Sequence, residues 1–178
     1  MEIIPAIDLL DGNCVRLKQG DYQRVTQFNC DPTSQAIEWQ AKGASRLHIV
    51  DLDGARTGEP KNDTAVKLIT EQLNIPIQIG GGIRTIERAK QLLDYGIDRV
   101  ILGTIAIENP KLLNELADLY PRKIVIGIDA KNGKVATRGW LEESTKTAIE
   151  LAREISNSNI AAIVSTDIST DGTLEGPN

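Results

Sequence analysis

Aromatic residues make up only 3% of this 178-residue chain, cysteine occurs twice and histidine once. Each scarcity closes off a class of chemistry. The lone histidine, His48, precedes Ile49-Val50-Asp51 inside a strand-like run and reads as structural, so neither a Ser-His-Asp triad nor a multi-histidine zinc site is expected. Cys14 and Cys30 lack CxxC spacing and a histidine partner set, which makes them ordinary thiols rather than a disulfide framework or a metal site. Positive charge is in deficit: 20 Lys and Arg against 25 Asp and Glu leave a net charge of -5. Phosphate-backbone affinity comes from clustered cations, so no nucleic-acid partner is expected, and any anionic substrate must be held by local features. No apolar run reaches the roughly 18 residues that span a bilayer, and no basic leader precedes an apolar stretch near Met1. The expectation is a cytoplasmic protein with no membrane partner. Neither a Gly-Lys-Ser/Thr P-loop nor a G-x-G-x-x-G fingerprint occurs, so a nucleotide cofactor is not supported.

What the chain has in quantity is aliphatic residue. A composition 40% hydrophobic and 25% charged describes a soluble fold built around Ile, Leu, Val and Ala, at a length that suits one domain. Six strand candidates recur: EIIPAID (2–8), LHIVDLD (47–53), IPIQIGG (75–81), RVILGT (99–104), KIVIGID (123–129) and IAAIVSTD (160–167). Their near-continuous Ile/Val/Leu character is that of a parallel sheet covered on both faces. Between them lie helical patterns with recognisable limits. One runs from Asp31-Pro32 to about Gly43, one opens at Asp63, one spans Thr85 to Gly96 and one opens at Asn109-Pro110. A fifth, capped by Ser144, carries Ala148, Leu151, Ala152 and Ile155. Trp39, inside the first, reads as packing. The order is β then α throughout, with the extra length placed in loops after the first and fifth strands.

Alternation alone does not separate a barrel from a doubly wound sheet. An internal repeat favours the barrel. Ile7-Asp8 with Gly12 is echoed by Ile128-Asp129 with Gly133 at an offset of 121, and Asp51 with Asn62 by Asp167 with Asn178 at an offset of 116. The first and fifth strands then correspond, which predicts two half-barrels of four βα units. The expected fold class is α/β, a (β/α)8 TIM barrel represented here by about six βα units. It forms a single domain over 1–178, with an N-terminal half-barrel at about 1–121 and a partial second half at about 122–178. A complete barrel needs about 250 residues, and the chain stops at Asn178, inside what should be the loop after the sixth strand. Strands seven and eight are therefore expected to be missing.

Asp8 and Asp129 each close an apolar run, which puts a carboxylate at the C-terminal end of a parallel strand, where barrel enzymes place their chemistry. Desolvation in a barrel mouth can raise one carboxylate's pKa while the other stays ionised, giving an acid and a base from one residue type. Position alone leaves open a loop-capping role for either; the repeat favours function for the pair. Gly80-Gly81-Gly82 bridges a strand end and the helix opening near Thr85, so its bare backbone N–H groups suit an anion, with Gly103-Thr104 at the next strand end completing a phosphate cradle. A flexible turn is the alternative. Thr166 and Asp167 end the sixth strand, and a hydroxyl there suits a sugar or an intermediate's oxygen, although turn chemistry explains Asp171-Gly172 equally well. Trp140, in the loop after the fifth strand, could stack on a heterocycle or anchor its loop.

The segments IPAIDLLDGNCVRLKQGDY, LHIVDLDGARTG, PIQIGGGIR, VILGTIAIENP, GIDAKNGKVATRGW and STDISTDGTLEGPN resemble those of the phosphoribosylformimino-5-aminoimidazole carboxamide ribotide (ProFAR) isomerase family of histidine biosynthesis, from end to end of the chain. The resemblance implies an Amadori rearrangement of a small phosphoribosyl aminoaldose, ProFAR, to the aminoketose PRFAR, without metal or cofactor. Carried over, Asp129 protonates the ring oxygen, Asp8 takes the C2 proton, Thr166 lies near the reacting sugar and Trp140 contacts substrate. Gly81, Gly82 and Thr104 fall in the first phosphate site. The family's second phosphate site lies after strands seven and eight, so this chain is expected to lack turnover and to self-associate, while a full-length form is expected to be a monomer. The alternatives are the cyclase subunit of imidazole glycerol phosphate synthase, a dual isomerase of histidine and tryptophan synthesis, and a non-catalytic barrel fragment.

Overall fold

The computed structural model describes residues 2–28 and 31–174; Cys30 and Asn178 lie outside them. Six parallel strands form the body of the sheet: β1 (Ala6–Leu10), then, after the hairpin strands β2 (Asn13–Lys18) and β3 (Asp21–Gln27), β4 (Leu47–Asp51), β5 (Ile77–Gly80), β6 (Arg99–Leu102) and β7 (Ile124–Lys131). A second hairpin, β8 (Lys134–Thr137) and β9 (Glu142–Thr147), follows β7, and β10 (Ala162–Asp167) is the sixth parallel strand. The parallel ladder runs β1-β4-β5-β6-β7-β10, each strand beside the next in sequence apart from the hairpins, as in a TIM barrel. Crossovers are supplied by α1 (Pro32–Ala41), α2 (Leu52–Thr57), α3 (Asp63–Gln72), α4 (Ile86–Asp94), α5 (Thr104–Glu108), α6 (Pro110–Leu119) and α7 (Ala148–Ile155).

Helix starts follow their capping chemistry. Asp31, Thr85 and Asn109 each accept a backbone N–H from the third residue on, and Pro32 and Pro110 occupy first-turn positions where no donor is needed. The fifth crossover departs from expectation. Its cap is Thr147, in a reciprocal capping box with Glu150, while Ser144 lies within β9. The two long loops are likewise β-hairpins, and the first strand begins at Ala6 rather than residue 2.

Strand alternation sorts the core into two layers. Ile7, Leu9, Leu47, Ile49, Ile77, Ile79, Val100, Leu102, Ile124, Ile126 and Ile128 are buried, facing helix residues such as Ala36, Ile69, Leu92, Leu113 and Leu151. Each such fully buried side chain contributes roughly 1.5–3 kcal/mol relative to exposure. Trp39 packs against this core from its edge, and Cys14 lies within it. At the opposite end from the strand C-termini, Asp98 accepts from Arg46 at 2.6 Å and Lys123 at 2.8 Å, tying together the starts of β4, β6 and β7. The sheet is open among the described residues. Among the described residues β10 pairs only with β7 and leaves Ile163 42% exposed, whereas the outer edge of β1 is partly covered by β2 over Asp8 to Leu10.

Candidate active site

The parallel strands deliver alternate residues inward: Ala6 and Asp8 on β1, His48 and Val50 on β4, Gly80 on β5, Ile101 on β6 with Gly103 just beyond it, Gly127 and Asp129 on β7, and Val164 and Thr166 on β10. They line one cavity of about 650 Å³. All nine residues expected from the sequence meet there: Asp8, Gly80, Gly81, Gly82, Gly103, Thr104, Asp129, Trp140 and Thr166. Thr166 is the cross-strand partner of Asp129, so hydroxyl and carboxylate stand side by side on adjacent strands.

Three inward glycines hollow out one wall. A Cβ at Gly80 or Gly127 would lie 3.4 Å from Ile101, and one at Gly103 would lie 3.8 Å from the Gly127 carbonyl oxygen. Gly127 was not anticipated; a glycine inside a strand signals close approach by something, and here that is the cavity itself. Gly81 and Gly82 have a different cause. Both have positive φ, 109° and 71°, and a Cβ on them would lie 2.1 Å from the Asp51 carbonyl oxygen and 2.3 Å from that of Gly54. Glycine at 81 and 82 is thus demanded by packing against the end of β4 and the start of α2, independently of any anion. Thr85 caps α4 by accepting from the Arg88 N–H at 3.1 Å, and the Thr104 hydroxyl accepts from the Arg138 N–H at 2.9 Å.

The carboxylates differ in environment. Burial, then the charge of Asp171, pushes Asp8 up to about 6, against the opposing pull of Arg16. Asp171 is itself raised, by burial and then by Asp129, again opposed by Arg16. Asp129 accepts from the indole N–H of Trp140 at 2.8 Å. That indole lies against Gly20 in the β2–β3 turn, where a Cβ would sit 2.2 Å from indole Cε3. The same turn binds the loop after β10: the Gln19 N–H donates to the Asp171 carbonyl oxygen at 3.2 Å and Gln19 Nε2 to that of Ser169 at 2.7 Å. Three loops therefore meet over the two aspartates.

Arg16 and Asp171 escaped the sequence reading as site residues. Asp171-Gly172 looks like any turn dipeptide, and Arg16 reaches the cavity only because the hairpin folds it there. His48, read as structural, lines the cavity too. Its Nδ1 lies 2.9 Å from Gln78 Nε2 on β5, and burial lowers its pKa to about 4, so the ring is neutral with Nδ1 as acceptor.

Comparison with known proteins gives this geometry its relatives. A proteins-of-histidine-biosynthesis family model, "Histidine biosynthesis protein", matches residues 2–178. A 1-(5-phosphoribosyl)-5-((5-phosphoribosylamino)methylideneamino)imidazole-4-carboxamide isomerase of Prochlorococcus marinus (strain MIT 9211) is 67% identical over 178 residues, 100% of this chain and 70% of that protein. Proteins of the same name from Synechococcus sp. (strain WH7803) and Parasynechococcus marenigrum (strain WH8102) are each 65% identical over the same 178 residues, again 70% of their length. A family model matched over residues 2–178 and 67% identity over the whole chain mean that this chain belongs to the histidine biosynthesis protein family.

Proposed function

We propose that the chain carries the aldose-ketose isomerase chemistry for which its relatives are named, an Amadori rearrangement of ProFAR to PRFAR. The observation that carries this reading is the pairing of Asp8 and Asp129 at equivalent ends of β1 and β7, in one cavity, under loops that enclose both. An acid protonates the ribose ring oxygen as the ring opens to a Schiff base. A base then removes the C2 proton, and the enolamine tautomerises to the ketose. Protons move and no electrons leave the substrate, so the chemistry needs neither metal nor redox cofactor. Asp8 suits the base: with a pKa of about 6 it is roughly nine-tenths ionised at pH 7 yet basic enough to accept a proton.

Asp129 is the acid in this scheme, with Thr166 beside it to hold the sugar and Trp140 to close the site. Gly80 to Gly82 with Gly103 and Thr104 offer the cradle for a substrate phosphate. A second reading of the donor is favoured by one observation. Asp171 lines the same cavity with a raised pKa, which is what a proton donor near neutrality requires. A cytoplasmic setting, the absence of nucleic-acid or membrane partners, and self-association of the chain through the β10 edge extend this proposal; no described helix is long and apolar enough to cross a membrane.

Kinetics of Asp8→Asn, Asp129→Asn and Asp171→Asn in a full-length form test the roles. Loss of the base or the acid should lower kcat by at least about 100-fold with little change in folding. Whichever of Asp129→Asn and Asp171→Asn shows this loss is the proton donor, and the acidic limb of the pH profile near pH 6 should disappear in Asp8→Asn. Near-normal turnover in a variant removes that residue from its role.

A further inference from the structure

Behind the cavity wall, three polar side chains form a single buried unit: Asp51, Asp53 and Asn62 are 1%, 0% and 2% exposed. Asn62 Nδ2 donates to Asp51 Oδ1 at 2.6 Å and to Asp53 Oδ2 at 3.1 Å, while Asn62 Oδ1 accepts from the Gly12 N–H at 2.9 Å. Asp53 Oδ2 also accepts from the Asp11 N–H at 2.8 Å, and Asp51 Oδ1 from the Gly54 N–H at 2.9 Å. Both amide protons and the carbonyl oxygen of Asn62 are thereby engaged.

Two further observations set this unit apart from ordinary loop bonding. Asn62 is the N-cap residue of α3, where Asn normally accepts from its own helix, yet it makes no side-chain cap bond. Its side chain is turned inward instead. Asp51 Oδ2 and Asp53 Oδ1 are also buried without a hydrogen-bond partner among the described residues. Two carboxylates are thus held close together, with one amide offsetting the cost of their burial.

What the unit grips is the tip of the β1–β2 hairpin. Asp11 and Gly12 are the two central residues of that turn, both with positive φ, 47° and 76°, as a two-residue type I′ turn requires. The N–H of each is held by an acceptor 42 or 50 residues away. Asp8 pairs across this hairpin with Val15, and Arg16 follows on β2.

We propose that Asn62, acting with Asp51 and Asp53, is a positioning residue: the bracket fixes the β1–β2 turn and through it the placement of Asp8 and Arg16 in the cavity. Its kinetic consequence rests on the isomerase reading; its structural content does not.

Asn62→Asp separates this from helix capping, because Asp caps as well as Asn but has no N–H to give and adds a third buried carboxylate. Asn62→Ser keeps a capping hydroxyl without the bridge. Three quantities are read in each: amide hydrogen exchange at Asp11 and Gly12, the titration of Asp8 by carboxyl NMR beside its neighbours Arg16 and Asp171, and, in a full-length form, kcat with KM. Exchange at Gly12 should rise at least about tenfold while α3 stays protected, and the Asp8 midpoint should leave its value of about 6. kcat should fall at least about tenfold with KM changed less than about threefold. If Asn62→Asp fails to fold, Asn62→Ser decides. Unchanged Gly12 exchange and an unmoved Asp8 midpoint overturn the bracket. A full-length wild-type form without turnover overturns the isomerase reading, and exchange and titration then judge the bracket on their own.

Discussion

Trp140 reaches Asp129 because Gly20 has no side chain: the indole N–H donates to Asp129 Oδ2 at 2.8 Å, and a methyl group at residue 20 would lie 2.2 Å from the indole ring. Gly20→Ala should therefore expel the indole rather than displace the turn, since the turn is also tied to the loop after β10 through Gln19. In a Trp39→Phe background Trp140 is the sole tryptophan, and its emission should shift to the red and become more quenchable by iodide. In a full-length form, Gly20→Ala should lose turnover in parallel with Trp140→Phe. Emission unchanged by Gly20→Ala would mean that the ring is not seated on residue 20.

Much of this site was legible because parallel strands impose a rule: the residue that ends an apolar run faces the mouth. Asp8, Asp129, Thr166 and the glycine triplet all follow from it, and all line the cavity. The hairpins were less visible although their signals were present. Asp11-Gly12 and Asn132-Gly133 are dipeptides of the kind that favour type I′ turns, and both have positive φ throughout, but β3 and β9 are polar and without a single buried residue, so no apolar alternation marks them. These turns stand at matching positions, three residues after Asp8 and Asp129. Arg16, Asp171 and the Asn62 bracket were hidden for a different reason. Each depends on contacts between loops far apart in the chain, and one sequence carries no signal of such a pairing.

The glycine triplet divides into positions with unequal tolerance. At Gly81 the positive φ and the Asp51 carbonyl oxygen 2.1 Å from any Cβ leave no room, whereas at Gly80 the nearest atom, on Ile101, is 3.4 Å away. Gly81→Ala should cost at least about 2 kcal/mol in urea denaturation, and Gly80→Ala less than about 1 kcal/mol. A valine at Gly81 would consequently report on folding before phosphate binding, which makes Gly80→Ala the informative variant for the cradle. Phosphate or sulfate should protect the wild-type chain against urea and protect Gly80→Ala less. Equal costs at the two positions would show that the loop relaxes around residue 81.

Asp8 and His48 face the same cavity and couple folding to pH in opposite senses. Asp8 titrates at about 6 when folded against an ordinary 3.8, so between these values the native state holds a proton that the unfolded state has released. Its contribution is present at low pH and is lost as pH rises through about 6. His48 titrates at about 4 when folded against 6.5. Its contribution is full above 6.5 and is lost as pH falls toward 4. Shifts of this size correspond to at most about 3.5 kcal/mol each, and partial contact of both groups with solvent in the mouth lowers that figure. Over the window from pH 4 to 6.5 the two contributions offset each other in the wild-type chain. Asp8→Asn should unmask the histidine, with stability falling on acidification across that window and rising above the wild type at pH 7. His48→Asn should unmask the aspartate, with stability increasing as pH falls. Urea midpoints collected at half-unit steps for the two variants check both signs, and parallel pH profiles for the variants and the wild type would show that neither group is desolvated in the folded protein.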